Sequence, residues 1–436
     1  MKYKQFKTRD GITVLSAYIN NINGVLFELH FKAGAYNDPI GKAGLAHFCE
    51  HALMGFSTKT HTREQRNELD RKFQYKNAYT SNYEMVFVVC ATKKEIEEAV
   101  DNMTDPFANI IYSQEEFDSE FKIISDEINT RKKTNSRLLG MILNKNQAKN
   151  KEINNCEQSQ AGSIESISKI KLKDLQNFIE SYINKKNLVV NVSGNLAPKE
   201  IERLIDKYIS PRIKADGEIG FNRMDNLGDK GPHYYFSKSW EKSKALLCYD
   251  YKIEKHEKRA FYDLESAALR NITSKVMQEE ASTYFRNKKE LCYGCSFGMF
   301  KYIDATYVSF QVECQQENVD KIIEAYPDFI KSVEEQFSEE RFNKHKKRTL
   351  GNMNFDVRGI NAQADVNYDN YDKYGKILGE NEDKILEKIY NSIKYEQAKE
   401  KIKLLKGKKP NIVIITDDEK YKDFDYKDYC KKILVK

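Results

Sequence analysis

The chain has 436 residues, 40% hydrophobic and 32% charged, which suits two or more domains with their own cores and a well-solvated surface. Its 72 basic and 66 acidic residues leave a net charge of +6, too small and too dispersed for a nucleic-acid interface. No apolar run approaches the length of a membrane span, and 8 cysteines scattered over this length do not read as a disulfide framework.

The first ten residues are basic but no apolar segment follows them, so no secretory leader is expected and a cytoplasmic location follows. Residues 11–19 read as the first strand. The next informative stretch is His47-Phe48-Cys49-Glu50-His51. Two histidines four apart, with a glutamate three after the first, share one face of a helix. Neutral imidazoles of His47 and His51 can bind one Zn²⁺, at about 2.0–2.1 Å each. Glu50 can act as a base toward a water held there. The order H-x-x-E-H inverts the commoner H-E-x-x-H zinc-protease motif. Histidine is scarce, 7 in the chain, so the pairing is no by-product of a histidine-rich composition. Cys49 points away from both histidines by helical phase and reads as a small buried residue.

Ser113 to Ile128 reads as an amphipathic helix whose apolar stripe is Phe117, Phe121, Ile124 and Ile128. Glu120 and Glu127, seven apart, share another face of it. A zinc hydrolase needs a third protein ligand and an open fourth position. Acidic residues on a helix, however, ordinarily form a solvated face, so the residues alone leave that choice open.

Pro211 to Pro232 has glycines and charges but little periodicity, which puts domains at 1–212 and 232–436 with a linker at 213–231. Glu115-Glu116-Phe117-Asp118-Ser119-Glu120 resembles Glu335-Gln336-Phe337-Ser338-Glu339-Glu340, 220 residues on. Lys186 to Val192 resembles Pro410 to Thr416, 224 residues on. Two near-equal offsets suggest one unit used twice. The second copy has no H-x-x-E-H, and Lys347 stands 220 after Glu127, so zinc is expected in the first half only. Each half is expected to be α+β, a mainly antiparallel sheet packed with helices on one face. Cys292-Tyr293-Gly294-Cys295 is the single C-x-x-C, open to reading as a redox pair or half a zinc knuckle.

These motifs together resemble the pitrilysin/insulinase family of inverzincin metallopeptidases, in particular half-length members such as mitochondrial processing peptidase and its bacterial relatives. Phe31 to Gly34 and Gly41 to His47 match the approach to the family's zinc helix. The family places its third ligand some 70-odd residues after the motif; here 75 residues separate His51 from Glu127. Glu120 matches a second acidic position seven before that ligand. Asn77-Ala78-Tyr79-Thr80 matches a strand that lines the cleft and pairs with an extended peptide. Arg286 and Tyr293 resemble a second-half arginine and tyrosine that reach the substrate. Two departures bear on the cleft: Gln74-Tyr75-Lys76 replaces paired glycines, and Tyr83, Met85 and Phe87 stand where the family has acidic, Thr and Tyr residues.

The resemblance implies one zinc per chain on His47, His51 and Glu127, with Glu50 as base and Glu120 orienting a histidine or water. It also implies Tyr293 and Arg286 acting on the peptide, and a chamber built by a homodimer or by a heterodimer with a homologous subunit. Neither nucleic acid nor membrane is an expected partner. The implied activity is an endopeptidase for short or unstructured peptides, in peptide clearance or leader removal. The alternatives are a catalytically silent or regulatory subunit, a structural zinc protein, which leaves Glu50 unexplained, and a redox protein built on Cys292 and Cys295.

Overall fold

The computed structural model describes residues 2–131, 133–147, 160–220, 231–255, 263–301, 305–353, 359–379 and 382–435. Part of the expected linker, 221–230, lies outside them. The chain forms two compact units: residues 1–131, 151–223 and 357–382 make the first, and residues 132–150, 224–356 and 383–436 the second.

In the first unit the strands are β1 (Lys2–Lys7), β2 (Thr13–Tyr18), β3 (Gly24–Phe31), β4 (Tyr75–Thr80), β5 (Met85–Thr92) and β6 (Leu188–Gly194), in the order β1-β2-β6-β3-β5-β4. Only β2 and β6 run parallel; the other pairs are antiparallel. The expected first strand is therefore the second: Lys2–Lys7, basic and mostly exposed, adds itself outside it. Such a strand carries no buried apolar alternation to announce it.

The second unit repeats this plan with β7 (Tyr234–Ser237), β8 (Lys244–Lys255), β9 (Gly294–Lys301), β10 (Ala305–Gln315) and β11 (Asn411–Ile415), in the order β7-β11-β8-β10-β9. Again one pair is parallel, β11 with β7. Strand for strand this matches β2-β6-β3-β5-β4, so both halves are one α+β design, mainly antiparallel.

The helices that matter here are α1 (Leu45–Gly55), α2 (Arg63–Asp70), α3 (Gln114–Thr130), α4 (Asn135–Gln147), α5 (Leu172–Tyr182), α6 (Leu264–Ala281), α7 (Val319–Gln336), α8 (Glu339–Met353) and α9 (Ile360–Tyr374). In the first unit Phe27, Leu29 and Phe31 of β3 join Phe48 of α1 and Phe117 of α3 in the main core. The opposite face of that sheet is also apolar at Leu15, Leu26, Val88 and Val189, and α9 covers it with Ala364 and Tyr368. In the second unit α4 does the same, Leu138, Leu139 and Leu143 packing on Leu246, Cys248, Val413 and Ile415. Helices thus lie on both faces of each sheet, because strands such as β6, buried at every residue, need cover on two sides.

The duplication also corrects the helical register. Glu335 and Gln336 are the last two residues of α7, so the 220-residue match pairs unlike elements. The true counterpart of α3 is α8: Ser113 caps α3 by accepting from Glu116 N–H, Ser338 accepts from Arg341 N–H, and the buried Phe117 and Phe342 follow each cap by four. Ser113 and Ser338 are 225 apart, so the counterpart of Glu127 is Asn352 rather than Lys347. Among the described residues no helix is long and apolar enough to cross a membrane.

Candidate metal centre and cleft

α1 is fixed at both ends. Gly44 starts it at φ +97°, and a Cβ there would stand 2.5 Å from the Ala161 carbonyl oxygen, so only glycine fits. The Asp38 carboxylate accepts from Gly44 N–H and Ala46 N–H, both at 2.7 Å, doing the work of a cap from outside the helix. At the other end the buried Arg66 guanidinium of α2 donates to the Leu53 carbonyl at 2.9 Å and to that of Phe56. Phe48 stacks on Phe117 at 4.6 Å between centroids and ties α1 to α3. Cys49 is fully buried, its thiol toward the Leu175 carbonyl of α5 and its pKa pushed well above the ordinary range by burial.

On the exposed side of these contacts α1 and α3 bring His47, His51 and Glu127 together, one donor atom from each lying within 4.8 Å of the others. Glu127 Oε2 stands 3.6 Å from His47 Nε2 and 3.6 Å from His51 Nε2. That is too long for good hydrogen bonds. It is close to the ligand–ligand edge of about 3.4 Å that bonds of about 2.0–2.1 Å make around a tetrahedral ion. The other carboxylate oxygen, Oε1, is taken by Arg131, whose Nε donates to it at 3.0 Å. His51 Nδ1 is 3.0 Å from Glu120 Oε2, and Glu120 Oε1 accepts from Arg63. A carboxylate so engaged asks Nδ1 of His51 for its proton, which leaves the Nε2 lone pair facing the cluster.

The electrostatics suit a cation. Burial, then repulsion from His51, pushes the His47 pKa down to about 4, so this imidazole is neutral at pH 7. Burial also opposes charge on His51, but Glu120, Glu50 and Glu127 together outweigh it and the net direction is up. Burial works against the Glu127 carboxylate; the Arg131 bond and the two histidines overcome it and lower its pKa. A neutral imidazole, an ionised carboxylate and an oriented second imidazole fit Zn²⁺ by donor type and spacing.

Glu50, buried beside this cluster, has its pKa raised by desolvation, with the Thr80 hydroxyl opposing by donating to Oε2 at 2.6 Å. Thr80 thus ties Glu50 to the strand. β4 is the edge of its sheet, paired on one side only, with β5. It forms one wall of an open cavity of about 590 Å³, lined by Asn77 to Thr80, the histidines, Glu50, Glu120 and Glu127. Ala78 is buried, Tyr79 is half exposed and the Asn77 amide donates to the Tyr75 hydroxyl at 2.9 Å. The departures have structural accounts. The Lys76 ammonium is buried against Asp70 of α2 at 2.7 Å, and burial drives its pKa down to about 8. Met85 and Phe87 are buried core residues, and Tyr83 packs edge-on to Tyr36 at 4.9 Å.

Arg286 and Tyr293 lie in the second unit and touch each other, the guanidinium 5.0 Å from the ring centroid. Tyr293 is 89% exposed. In that unit α6 and α8 carry a reversed copy of the His51–Glu120 contact: Glu279 and His345 meet at 2.6 Å. His345 is the counterpart of Glu120 in the corrected register. Reading by motif missed Arg63, Arg131 and Asp38. The i,i+4 spacing of Glu127 and Arg131 on one helix was a usable signal; Arg63 and Asp38 are joined to the site only by folding.

Residues 13–156 match the family model described as insulinase (peptidase family M16), and residues 169–349 match the peptidase M16 inactive domain. An uncharacterized zinc protease of Rickettsia bellii is 22% identical over 391 residues, 88% of this chain and 90% of that one. The mitochondrial-processing peptidase subunit beta of Saccharomyces cerevisiae is 23% identical over 217 residues, 49% of this chain and 46% of that one. A protease from Helicobacter pylori superposes with a TM-score of 0.76 at 18% identity, covering 95% of this chain and 99% of that one. The periplasmic protease PqqL from Escherichia coli does so with 0.77 at 17% identity, over all of this chain and 49% of its own. This chain belongs to peptidase family M16 and is of its half-length, two-domain type.

Proposed function

We propose that this chain is a zinc-dependent endopeptidase that cuts short or unstructured peptides. The observation that carries the reading is Glu127 Oε2 standing 3.6 Å from Nε2 of both His47 and His51, with the buried Glu50 carboxylate beside them. Those three residues would hold the ion. When bound, zinc supplies Lewis acidity and lowers the pKa of a coordinated water toward about 7.

Glu50 takes the proton of the attacking water and delivers it to the leaving amine. Burial suits it to both halves of that task, because a raised pKa makes it a better base and the protonated form easier to reach. Glu120 holds His51 in one tautomer and orientation, and Arg131 keeps Glu127 Oε1 occupied so that Oε2 faces the cluster. The substrate lies extended along the open edge of β4, adding a strand beside Asn77 to Thr80. Arg286 and Tyr293 complete the machinery from the second domain, with Tyr293 hydrogen-bonding the scissile region and Arg286 holding the peptide backbone.

A chain of this length equals about half of the Escherichia coli protein it resembles. We therefore read the working form as a dimer, with itself or with a homologous subunit, enclosing a chamber that admits flexible peptides. A second reading, a silent or regulatory subunit, is favoured by a likeness of TM-score 0.77 to a Pseudomonas fluorescens structure described as a peptidase M16 inactive domain. The test is zinc content and cleavage of a quenched peptide library by wild type and Glu50→Gln. The expected result is one zinc in each and a rate at least about 100-fold lower in the variant. Full activity in Glu50→Gln removes the assigned base, and zinc without cleavage by wild type favours the silent subunit.

A further inference from the structure

The C-x-x-C of the second unit has no part in the metal centre. Cys292 and Cys295 are unbridged and half-buried, and they bracket Tyr293-Gly294 where the chain enters edge strand β9. The chain bends at Tyr293 between them, and each thiol shifts the other's ionisation. Hydrogen bonds tie the backbone on either side of them. The Gln278 side chain donates to the Cys295 carbonyl at 2.6 Å and accepts from Phe297 N–H at 2.8 Å. Asn318 donates to the Leu291 carbonyl at 3.1 Å, and Leu291 N–H donates to the Phe285 carbonyl at 2.9 Å. Just upstream, Glu290 has φ +54°, the one non-glycine residue with positive φ among the described residues, so the turn into the pair is strained. Between these anchors Tyr293 projects into solvent with Arg286 over its ring.

The two thiols differ in character. The neighbouring Cys295 thiol and the Arg286 charge hold the Cys292 pKa below the ordinary cysteine value, against burial. The same pairing and burial push Cys295 far above it. A nucleophilic thiol beside a protonated partner is the division of labour that dithiol exchange uses.

We propose that Cys292 and Cys295 form a reversible disulfide with low-molecular-weight disulfides as oxidant, and that the bridge restrains the loop that presents Tyr293. The Cys292 thiolate attacks one sulfur of the reagent; the reagent's S–S bond breaks, a mixed disulfide forms and one thiolate leaves. Cys295 gives up its proton and attacks Cys292 Sγ, expelling the second thiolate. Two electrons and the thiol protons end on the reagent as two free thiols. The consequence for peptide binding rests on the peptidase reading above; the modification itself does not.

The experiment treats the zinc-loaded full chain with oxidised glutathione, then unfolds it in denaturant with N-ethylmaleimide to block remaining thiols, and maps peptides by mass. The expected result is one bridge joining Cys292 and Cys295, with every other cysteine alkylated, and amide exchange across 289–296 slowed about 10-fold or more. KM for a quenched peptide rises about 5-fold with kcat little changed, dithiothreitol reverses both, and Cys292→Ser and Cys295→Ala show neither. Alkylation of both cysteines, pairing with other cysteines, or a bridge that leaves exchange unchanged overturns the proposal. A chain that forms the bridge but cuts no peptide defeats the peptidase reading and leaves the modification site standing; one that cuts peptide but never bridges does the reverse.

Discussion

In the proposed centre Glu120 acts on His51 rather than on the metal. It is buried, accepts from Arg63 and holds His51 Nδ1 at 3.0 Å, so its loss frees an imidazole to rotate and strands a guanidinium. Glu120→Gln should weaken zinc binding by about 10–100-fold, measured by competition with a chromophoric chelator; unchanged affinity would remove its orienting role. Thr80 offers a sharper electrostatic test. Its hydroxyl stabilises the charged form of Glu50, whose pKa burial has already raised. If Glu50 is the base proposed above, it works deprotonated, so cleavage should fall as pH drops through that value. Thr80→Val removes a stabilising donor, raises the pKa further and should move the acid limb of the kcat/KM profile to higher pH. A limb that stays put or moves down would contradict the link.

At the scale of elements, the docking of α9 on the first sheet depends on a buried polar cluster among apolar neighbours. His30 stacks on Tyr368 at 3.5 Å and faces Glu28 at 3.2 Å and Glu84 at 3.6 Å, while Asn191 donates to Glu28 at 2.7 Å. Burial opposes the His30 cation, but the two glutamates prevail and its pKa in the fold is raised above 6.5. A group with a raised folded pKa contributes stability that is complete below its unfolded value and fades as pH rises through the folded one. His30→Gln should therefore cost about 1–3 kcal/mol near pH 6 and visibly less at alkaline pH, read from urea unfolding at the two pH values. A cost that grows with pH would show that His30 is buried neutral. The same scale explains why α9 belongs to the first unit although its sequence interrupts the second: both sheets are apolar on two faces, and each takes one helix from beyond its own run of strands.

For the whole molecule, ligand linkage gives the broadest prediction. Zinc bound only by the folded first domain should stabilise it by about 4 kcal/mol at 1,000 times its Kd. Chelation should then lower the unfolding temperature of the first domain and abolish cleavage, and His47→Ala/His51→Ala should be insensitive to chelator in the same calorimetric scan. If that double variant still responds to zinc, the stabilising ion sits elsewhere. Among the described residues the second domain shows no equivalent set at the matching place, where Glu279 meets His345 and Lys344.

His47, Glu50 and His51 were legible in the sequence because one helical turn is a local rule: residues three and four apart share a face whatever the rest of the chain does. The apolar stripe Phe117, Phe121, Ile124 and Ile128 was legible for the same reason, and with it the helix that carries Glu120 and Glu127. The repeat was visible too, but the 220-residue match aligned the end of α7 with α3, since a short acidic-aromatic string recurs more easily than a cap and a buried phenylalanine in register. The sequence by itself determined the helices that carry His47, His51, Glu120 and Glu127, which of these share a helical face, and that the second half holds no H-x-x-E-H. Only the tertiary structure decided that Glu127 turns Oε2 to both histidines while Arg131 takes Oε1, that Arg63 and Thr80 serve Glu120 and Glu50, and that Asp38 and Arg66 clamp the two ends of α1. Those partners come from separate segments of chain, and long-range pairing of that kind is set by packing, which no local periodicity records.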